Sequence, residues 1–538
     1  MRRFFSYGSI NPKLHYYAPR QELIKRAYTQ LMGEDDAEGG HYITVWAPRQ
    51  TGKTWVMQQI LFLLQEDPRF NVLKINLEIL KTETKVETII NVIARKIGEG
   101  LGKEITDITN QDVFQEIFKK NLMDKPLILI LDEFDALAEQ GINAIVSAFR
   151  NIHFSRMEEK DKSTDQKTYL LHAVALIGVR SVLGIENEKG SPFNVQRSVH
   201  IKNLSFEEVQ GMFQWYEKES GQSILPAVIK KLYDETKGQP GLIGWLGELL
   251  TEGVEGFPND TSKTMDMDYF NTIYQAAMFV LPSNNILNLI SKAKKLPYRD
   301  TVIKLFKTDT PMLFKFDKEE INYLYMNGII EPEPVSPEQS YVKFASPLVQ
   351  RRLFNYFSSD LFDDMGQLVE NVFTAPDFIF PDRIDIPVIL KLYQNYLTLN
   401  KSWLFKNAPR RDDLRIYEAV FHFNLYAYLS ELLRDEDATI YPEFPTGNGK
   451  IDLLIEYRID KHITTYGIEL KSFTKKTKYR LALEQTAHYG HQLGLREIYM
   501  VSFIEMIDEA NLKKYESPFV EPISGVTVYP RIIQTGHI

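Results

Sequence analysis

The run Leu127-Ile-Leu-Ile-Leu-Asp132 constrains the fold more than any other stretch. Successive strand residues point to opposite faces, so a run with no polar position before Asp132 has no face to offer water. Such a strand belongs inside a parallel sheet covered on both sides. Similar runs recur in "HYITVWA", "NVLKINLE" and "HAVALIGV", separated by helical stretches such as Trp55 to Gln65 and Thr84 to Leu101. The alternation predicts a parallel α/β sheet from about Tyr42 to Ile201. At 538 residues the chain is too long for one core, which stops growing at roughly 250 to 300 residues, so three or four domains are expected.

The first of those strands runs into "APRQTGKTW", a loop that opens a helix. Its backbone N–H groups and the helix N-terminus can cradle phosphates, with Arg49, Gln50, Thr51 and Gly52 forming the loop. Lys53 would neutralise the β- and γ-phosphates of ATP, and the Thr54 hydroxyl would ligate Mg²⁺. Ala47 stands where such loops usually have their first glycine. The buried strand then delivers Asp132 and Glu133 where this chemistry needs them: Asp132 to hold the metal through water, Glu133 to position the attacking water.

Composition excludes several classes. The chain has no cysteine, which removes disulfides, thiolate metal sites and a cysteine nucleophile and fits a reducing interior. No apolar run has the length of a membrane span and the basic, aromatic N-terminus lacks a signal-peptide core, so a cytoplasmic location is expected. A net charge of −9 argues against a wholly basic nucleic-acid coat while leaving room for local basic patches. After Ile201 the pattern is helical, opened by "LSFEEV", where Ser205 and Glu208 form a capping box. Further on, "FDKEEINYLYMNGIIEPEPVSPEQSYVKFAS" predicts a helix, an Asn-Gly stop and two strands around a proline-rich turn. Helices followed by such a hairpin describe a winged helix, which serves either to contact DNA or to pack against a partner.

Near the C-terminus, "GNGKIDLLIEYRIDKHITTYGIELKSF" holds two strand-like runs about a turn near Asp460 and Lys461. Centring the turn there sets Asp452 directly opposite Glu469, with Lys471 on the same face as Glu469. Two facing carboxylates destabilise a hairpin unless a cation joins them. The arrangement therefore reads as a divalent-ion site: Asp452, Glu469 and the Leu470 carbonyl as hard oxygen ligands for Mg²⁺, Lys471 orienting or deprotonating a water. Glu418 falls on the same helical face as Leu414, Phe421, Leu425 and Leu429, where a lone carboxylate is costly, and is a candidate further ligand. Gln485 and Tyr489 lie one helical turn apart and can reach the metal or a phosphate together. Lys475, Lys476, Lys478 and Arg480 either track a phosphate backbone or form a solvated loop. His488 and His491 fit a helix surface better than a zinc site.

Two family resemblances rest on these residues. "YYAPR", "APRQTGKT", "LDEFD", "VALIGVRS" and "KGQPGLIGWL" resemble the AAA-like, STAND-related ATPases of bacteria, over about residues 15 to 360. That resemblance implies a nucleotide-sensing Gly-x-Pro at Gly238 and Pro240 and a γ-phosphate sensor at Arg180 or Ser181. Arg197 is either an arginine finger or a surface arginine. Asp452, the Glu469-Leu470-Lys471 triplet and Gln485 to Tyr489 resemble the PD-(D/E)XK nuclease superfamily over about residues 411 to 538. Ile451 stands where that family has proline.

The expected architecture is a multidomain α/β chain: a P-loop ATPase core over 1–203, a helical lid over 204–275, a winged helix over 276–360, a helical linker over 361–410 and a restriction-endonuclease-like domain over 411–538. The expected function is an ATP-regulated, Mg²⁺-dependent nuclease acting on nucleic acid, DNA before RNA, with self-association or a partner protein as a further interaction and no membrane. By resemblance, defence against phage or mobile DNA is its setting. Two alternatives stay open: a nucleotide-dependent switch, or a DNA-binding ATPase, in which the nuclease-like domain serves only to bind.

Overall fold

The structure, a computed structural model, describes all residues except 9, 35–38, 49, 106–107, 179–196, 307–310, 364–377, 411–415, 447–448, 460–461, 473–475 and 537–538. It divides into two compact units: residues 1–287 with 325–328, and residues 288–324 with 329–538.

In the first unit the chain runs α1 (Gln21–Met32), β1 (Tyr42–Trp46), α2 (Lys53–Gln65), β2 (Asn71–Asn76), α3 (Val86–Leu101), α4 (Gln111–Glu116), β3 (Leu127–Asp132), α5 (Glu139–Glu158), β4 (Leu171–Gly178) and β5 (Arg197–His200). The five strands form a sheet in the order β2-β3-β4-β1-β5, and every pairing is parallel. β3 shows why its sequence has no polar face. Leu127, Leu129 and Leu131 pack into a core with α3 and α5, while Ile128 and Ile130 pack into the opposite core with α1 and α2. Both faces are therefore buried, and a polar substitution on either would strand an unpaired group in a dry core.

Helices α6 (Phe206–Ser220), α7 (Pro226–Thr236), α8 (Pro240–Glu252) and α9 (Met267–Phe279) follow. The α6 capping box forms as expected, with Ser205 Oγ accepting from Glu208 N–H and the Glu208 carboxylate from Ser205 N–H. Gly238 ends the α7 turn at φ 70°, and a Cβ there would collide with the Leu204 carbonyl, so the position requires glycine.

The second unit begins within α10 (Asn284–Ala293) and continues through α11 (Tyr298–Phe306), α12 (Glu319–Met326), the hairpin β6 (Ile330–Ser336) and β7 (Gln339–Phe344), and α13 (Pro347–Leu361). Helix, turn and hairpin follow in the order read from the sequence. A short ribbon, β8 (Ile379–Phe380) and β9 (Arg383–Ile384), leads to α14 (Ile386–Leu404) and α15 (Glu418–Leu432). The chain ends with β10 (Ala438–Thr446), β11 (Gly449–Ile459), β12 (His462–Ser472), α16 (Lys476–Gln492), β13 (Glu497–Ile504), α17 (Glu509–Tyr515), β14 (Phe519–Val520) and β15 (Thr527–Gln534). These strands make a mixed sheet in the order β10-β11-β12-β13-β15-β14. Helix α16 packs Ala482, Leu483 and Ala487 against Ile451, Ile498 and Val528. Phe421 of α15 stacks on Phe503 of β13.

Candidate functional site

The phosphate loop sits between β1 and α2, with Gly52 at φ 87° and Gln50 at φ 57°. Left-handed backbone at Gln50 is strained for a side-chain-bearing residue, and contacts across the loop hold it. Thr51 Oγ1 donates to the Pro48 carbonyl at 2.7 Å, and Lys53 Nζ donates to the carbonyls of Ala47 and Pro48 at 2.8 and 2.9 Å. The ammonium is thus held over the loop where anionic oxygens would compete for it. Thr54 lies half-buried in the first turn of α2.

Helix α8 starts against this loop. Gly241 N–H donates to the Gln50 carbonyl at 2.9 Å, and Gln239 Nε2 reaches the same oxygen at 3.4 Å. Pro240 is the first residue of α8, so the motif assigned to nucleotide sensing adjoins the loop through Gln50. Arg49, Arg180 and Ser181 lie outside the described residues; Arg197 opens β5.

Asp132 ends β3, buried at 4% exposure, with Oδ2 2.8 Å from Lys74 Nζ of β2 and Oδ1 accepting from Glu133 N–H. Glu133 takes φ 55°. Among the described residues five non-glycine residues have positive φ, and four of them, Gln50, Glu133, Lys237 and Glu443, lie at or beside a candidate site residue. Strain of this kind persists only where surroundings enforce it, and it collects at working sites.

The second constellation forms on β10, β11 and β12. Each β11–β12 pair from Leu453↔Ile468 to Ile459↔His462 keeps the register that sets Asp452 across from Glu469. Asp452 N–H donates to Glu469 Oε2 at 3.3 Å, and Leu470 N–H donates to Asp452 Oδ2 at 2.6 Å. Leu470 thus enters the site through its amide, a contact the sequence reading did not include beside its carbonyl. Lys471 Nζ pairs with Glu469 Oε1 at 2.8 Å and donates to Gln485 Oε1 at 3.2 Å, and Gln485 Nε2 donates to Tyr489 Oη at 2.8 Å. Six of the predicted residues, Asp452, Glu469, Leu470, Lys471, Gln485 and Tyr489, are therefore linked in one network. Burial raises the Tyr489 phenol above its usual pKa, and the charge of Glu469 adds to the rise.

Glu418 is the first residue of α15, half-buried and one turn before His422. Leu414 lies outside the described residues, while Phe421, Leu425 and Leu429 are buried as expected. His488 is exposed beside Gln492, and Lys478 and Arg480 are exposed, the latter paired with Glu484.

Two residues at the site escaped the sequence reading. Glu443 of β10 lies between the pairs Pro442↔Leu453 and Phe444↔Ile451, across from Asp452, so Glu443, Asp452 and Glu469 form a row over three strands. His422 of α15 faces the same place. Ligand atoms of His422, Glu443 and Asp452 lie within 4.8 Å of one another, and all three residues are buried. Lys450 pairs with Glu443, and Gln350 Nε2 of α13 donates to Glu443 Oε2 at 2.9 Å. The only sequence signal was the "E" of "YPEFPTGNGKID", ahead of the Asp452 strand.

Residues 5–253 match the family model of the AAA-like domain. No curated protein matches the sequence. Among solved structures, the Walker-type ATPase of Pyrococcus abyssi is similar at 15% identity and a TM-score of 0.41, over 65% of this chain and 99% of that one. The Orc1 protein of Aeropyrum pernix, solved with DNA, is similar at 13% identity and 0.33, over 62% and 92%. The RuvB branch migration motor of Thermotoga maritima is similar at 11% and 0.33, over 60% and 92%. Among the described residues no helix is long and apolar enough to cross a membrane. Residues 5–253, which hold the five-stranded parallel sheet and the phosphate loop between β1 and α2, thus match an AAA-like domain.

Proposed function

We propose that the chain is an ATP-regulated, Mg²⁺-dependent nuclease that cuts DNA, with the AAA-like domain controlling the C-terminal sheet domain. The observation that carries the reading is the buried pair Asp452 and Glu469, opposed across a hairpin with Lys471 and the Gln485–Tyr489 pair joined to them. Carboxylates are seldom placed face to face in a buried hairpin, because their repulsion is paid on folding, unless a cation is to be held there.

The donors fit a hard divalent ion: Thr54 and Asp132 at the nucleotide, Asp452 and Glu469 at the scissile phosphate. When bound, Mg²⁺ supplies Lewis-acid stabilisation of phosphoryl oxygens at either place. In the ATPase domain, Lys53 leaves the loop carbonyls for the phosphates, and Glu133 orients the attacking water. A shift of phosphates in the loop reaches α8 through Gln50, which gives hydrolysis a route to the helical segment. In the sheet domain, Lys471 passes from Glu469 to the attacking water, with Gln485 keeping its ammonium aimed. Exposed Lys478 and Arg480 offer charge to a phosphate backbone beside the site. Defence against invading DNA is the setting proposed.

A second reading is favoured by the same contacts. The Glu469–Lys471 pair and the Leu470 N–H bond to Asp452 also knit β11 to β12 without any ion, as a domain that only binds nucleic acid would need. Cleavage of plasmid, linear duplex, single-stranded DNA and RNA with Mg²⁺, with and without ATP, separates the two. The nuclease reading expects metal-dependent cutting by the parent, none by Glu469→Ala, and altered ATP control in Lys53→Ala. Binding without cutting on all four substrates would refute it.

A further inference from the structure

Across helices α10 and α11 the charge balance of the chain reverses. Residues 292–304 hold five basic side chains, Lys292, Lys294, Lys295, Arg299 and Lys304, against one acid, Asp300, in a chain whose net charge is −9. The turn between the two helices gathers Lys294, Lys295 and Arg299. Arg299 N–H donates to the Lys295 carbonyl at 3.0 Å, which closes the turn over Leu296 and Pro297. Both lysines and Pro297 are exposed, and Leu296 is 61% exposed, so the turn projects into solvent. Aromatic rings position its ammonium groups. Tyr298 stacks on Tyr323 of α12 with ring centroids 3.7 Å apart, Lys295 Nζ lies 6.0 Å from the Tyr323 ring, and Lys294 Nζ lies 5.5 Å from the Tyr356 ring of α13. A ring face holds an ammonium without cancelling its charge. Among the described residues neither ammonium joins an ion pair, while Arg299 Nε has Asp300 at 3.6 Å.

We propose that the α10–α11 turn is a backbone clamp for duplex DNA, with Lys294, Lys295 and Arg299 holding its phosphates. Three cations on one turn match a polyanion that carries a charge every 1.7 Å or so of its axis, roughly. The shape favours the same partner. A peptide needs a groove or a strand edge to lie on, and a projecting turn between helices offers neither, whereas a duplex brings grooves of its own. The hairpin that the sequence offered for DNA contact is unsuited by charge. Strands β6 and β7 and their turn carry Glu331, Glu333 and Glu338 against Lys343, whose Nζ already lies 3.6 Å from Glu333 Oε1. Helix α12, which precedes the hairpin, opens on Glu319 and Glu320. Phosphates are repelled there and attracted to the turn, so the duplex is held by the joint between α10 and α11 rather than by α12 and the hairpin.

The proposal rests on the nuclease reading only for its choice of DNA, and its test is run in EDTA, where metal-dependent cutting cannot occur. Full-length protein is titrated against a fluorescein-labelled duplex by anisotropy at several NaCl concentrations between about 50 and 200 mM. Replacing Lys294 and Lys295 together by Ala removes two phosphate contacts. The slope of log affinity against log salt should then shrink by about 2, and affinity at the lowest salt should drop at least about tenfold. The pair Lys294→Arg with Lys295→Arg keeps the charge and should restore both, and Lys343→Ala on β7 should leave the slope unchanged. All three lysines are exposed, so these variants keep the fold. An unchanged slope in the alanine pair, or a parent that binds no duplex, overturns the proposal and leaves the lysines as a solvated helix end. Tighter binding of polyglutamate or of phosphatidylserine vesicles than of duplex in the same buffer also overturns it. A slope lost in the alanine pair with no cleavage in Mg²⁺ leaves the clamp standing and removes the nuclease reading; cleavage with an unchanged slope does the reverse.

Discussion

Replacing Lys471 by Met keeps the stem and deletes the charge, so it isolates what the ammonium does for Glu469. The pair is 2.8 Å apart, with side-chain exposures of 16% and 4%. At an effective dielectric of about 20, two unit charges at that distance attract by roughly 6 kcal/mol before desolvation. Removing one partner leaves a carboxylate at the edge of a dry core, and after partial rehydration the net loss is about 3 kcal/mol. The second unit, roughly 250 residues, loses about 2 to 4 °C of Tm per kcal/mol, so its transition should fall by about 6 to 12 °C in EDTA. The double variant Glu469→Gln with Lys471→Met carries neither charge and should recover most of that loss. Saturating Mg²⁺ binds the native state only, and should raise the Tm of Lys471→Met more than that of the parent, because it restores a cation where one is missing. Differential scanning calorimetry of the three proteins, in EDTA and in Mg²⁺, reads all of this. If Lys471→Met melts with the parent in EDTA, Glu469 is not held by that pair. If Mg²⁺ raises the Tm of neither protein, the carboxylates do not form an ion site.

Other outcomes follow from single contacts. Lys53→Ala should abolish ATP binding in a fluorescent-nucleotide titration, whereas Glu133→Gln should keep ATP bound and slow hydrolysis by about 10² or more, since an amide polarises water poorly. Gly238→Ala meets both a left-handed φ and the Leu204 carbonyl, and should cost the first unit about 2 kcal/mol or more in urea unfolding, unlike Gly211→Ala, whose Cβ meets open space. Burial, against only a partial gain from the Met32 carbonyl bond, holds the His172 imidazole down at about 4. Its unfolded value is about 6.5, so between those values the unfolded chain binds the proton and the native state does not. Stability is therefore full above about pH 6.5 and falls by about 3 kcal/mol as the pH drops to about 4, and His172→Gln should flatten that slope in urea titrations across the range.

Legibility in the sequence followed the distance over which each element is specified. β3 was readable because both of its faces are written into consecutive residues, and the phosphate loop because strand, loop and helix start adjoin. Asp452 and Glu469 were readable across 17 positions because a tight turn between them fixes register by counting. Glu443 was not. Pro442 and Pro445 make its segment look unfit for a sheet, and it pairs only because β10 is an edge strand, where a missing N–H can face away from the ladder. Its side chain aligns with Asp452 through a left-handed backbone that no alternation rule anticipates. His422 hides for the opposite reason: α15 is buried almost all round, so periodicity marks no face of it as a site. Gln350 reaches Glu443 across 93 positions, a contact only the tertiary fold creates. The half of the site next to Glu469 is thus encoded locally, while the half next to Glu443 exists only once α13, α15 and β10 have packed. Perturbing that packing should disturb the His422 flank before the Lys471 flank. The Phe354 ring lies 4.6 Å from that of His422, so Phe354→Leu should lower the Tm of the parent in EDTA while leaving the further loss caused by Lys471→Met unchanged; a non-additive loss in the double variant would mean the two halves form as one.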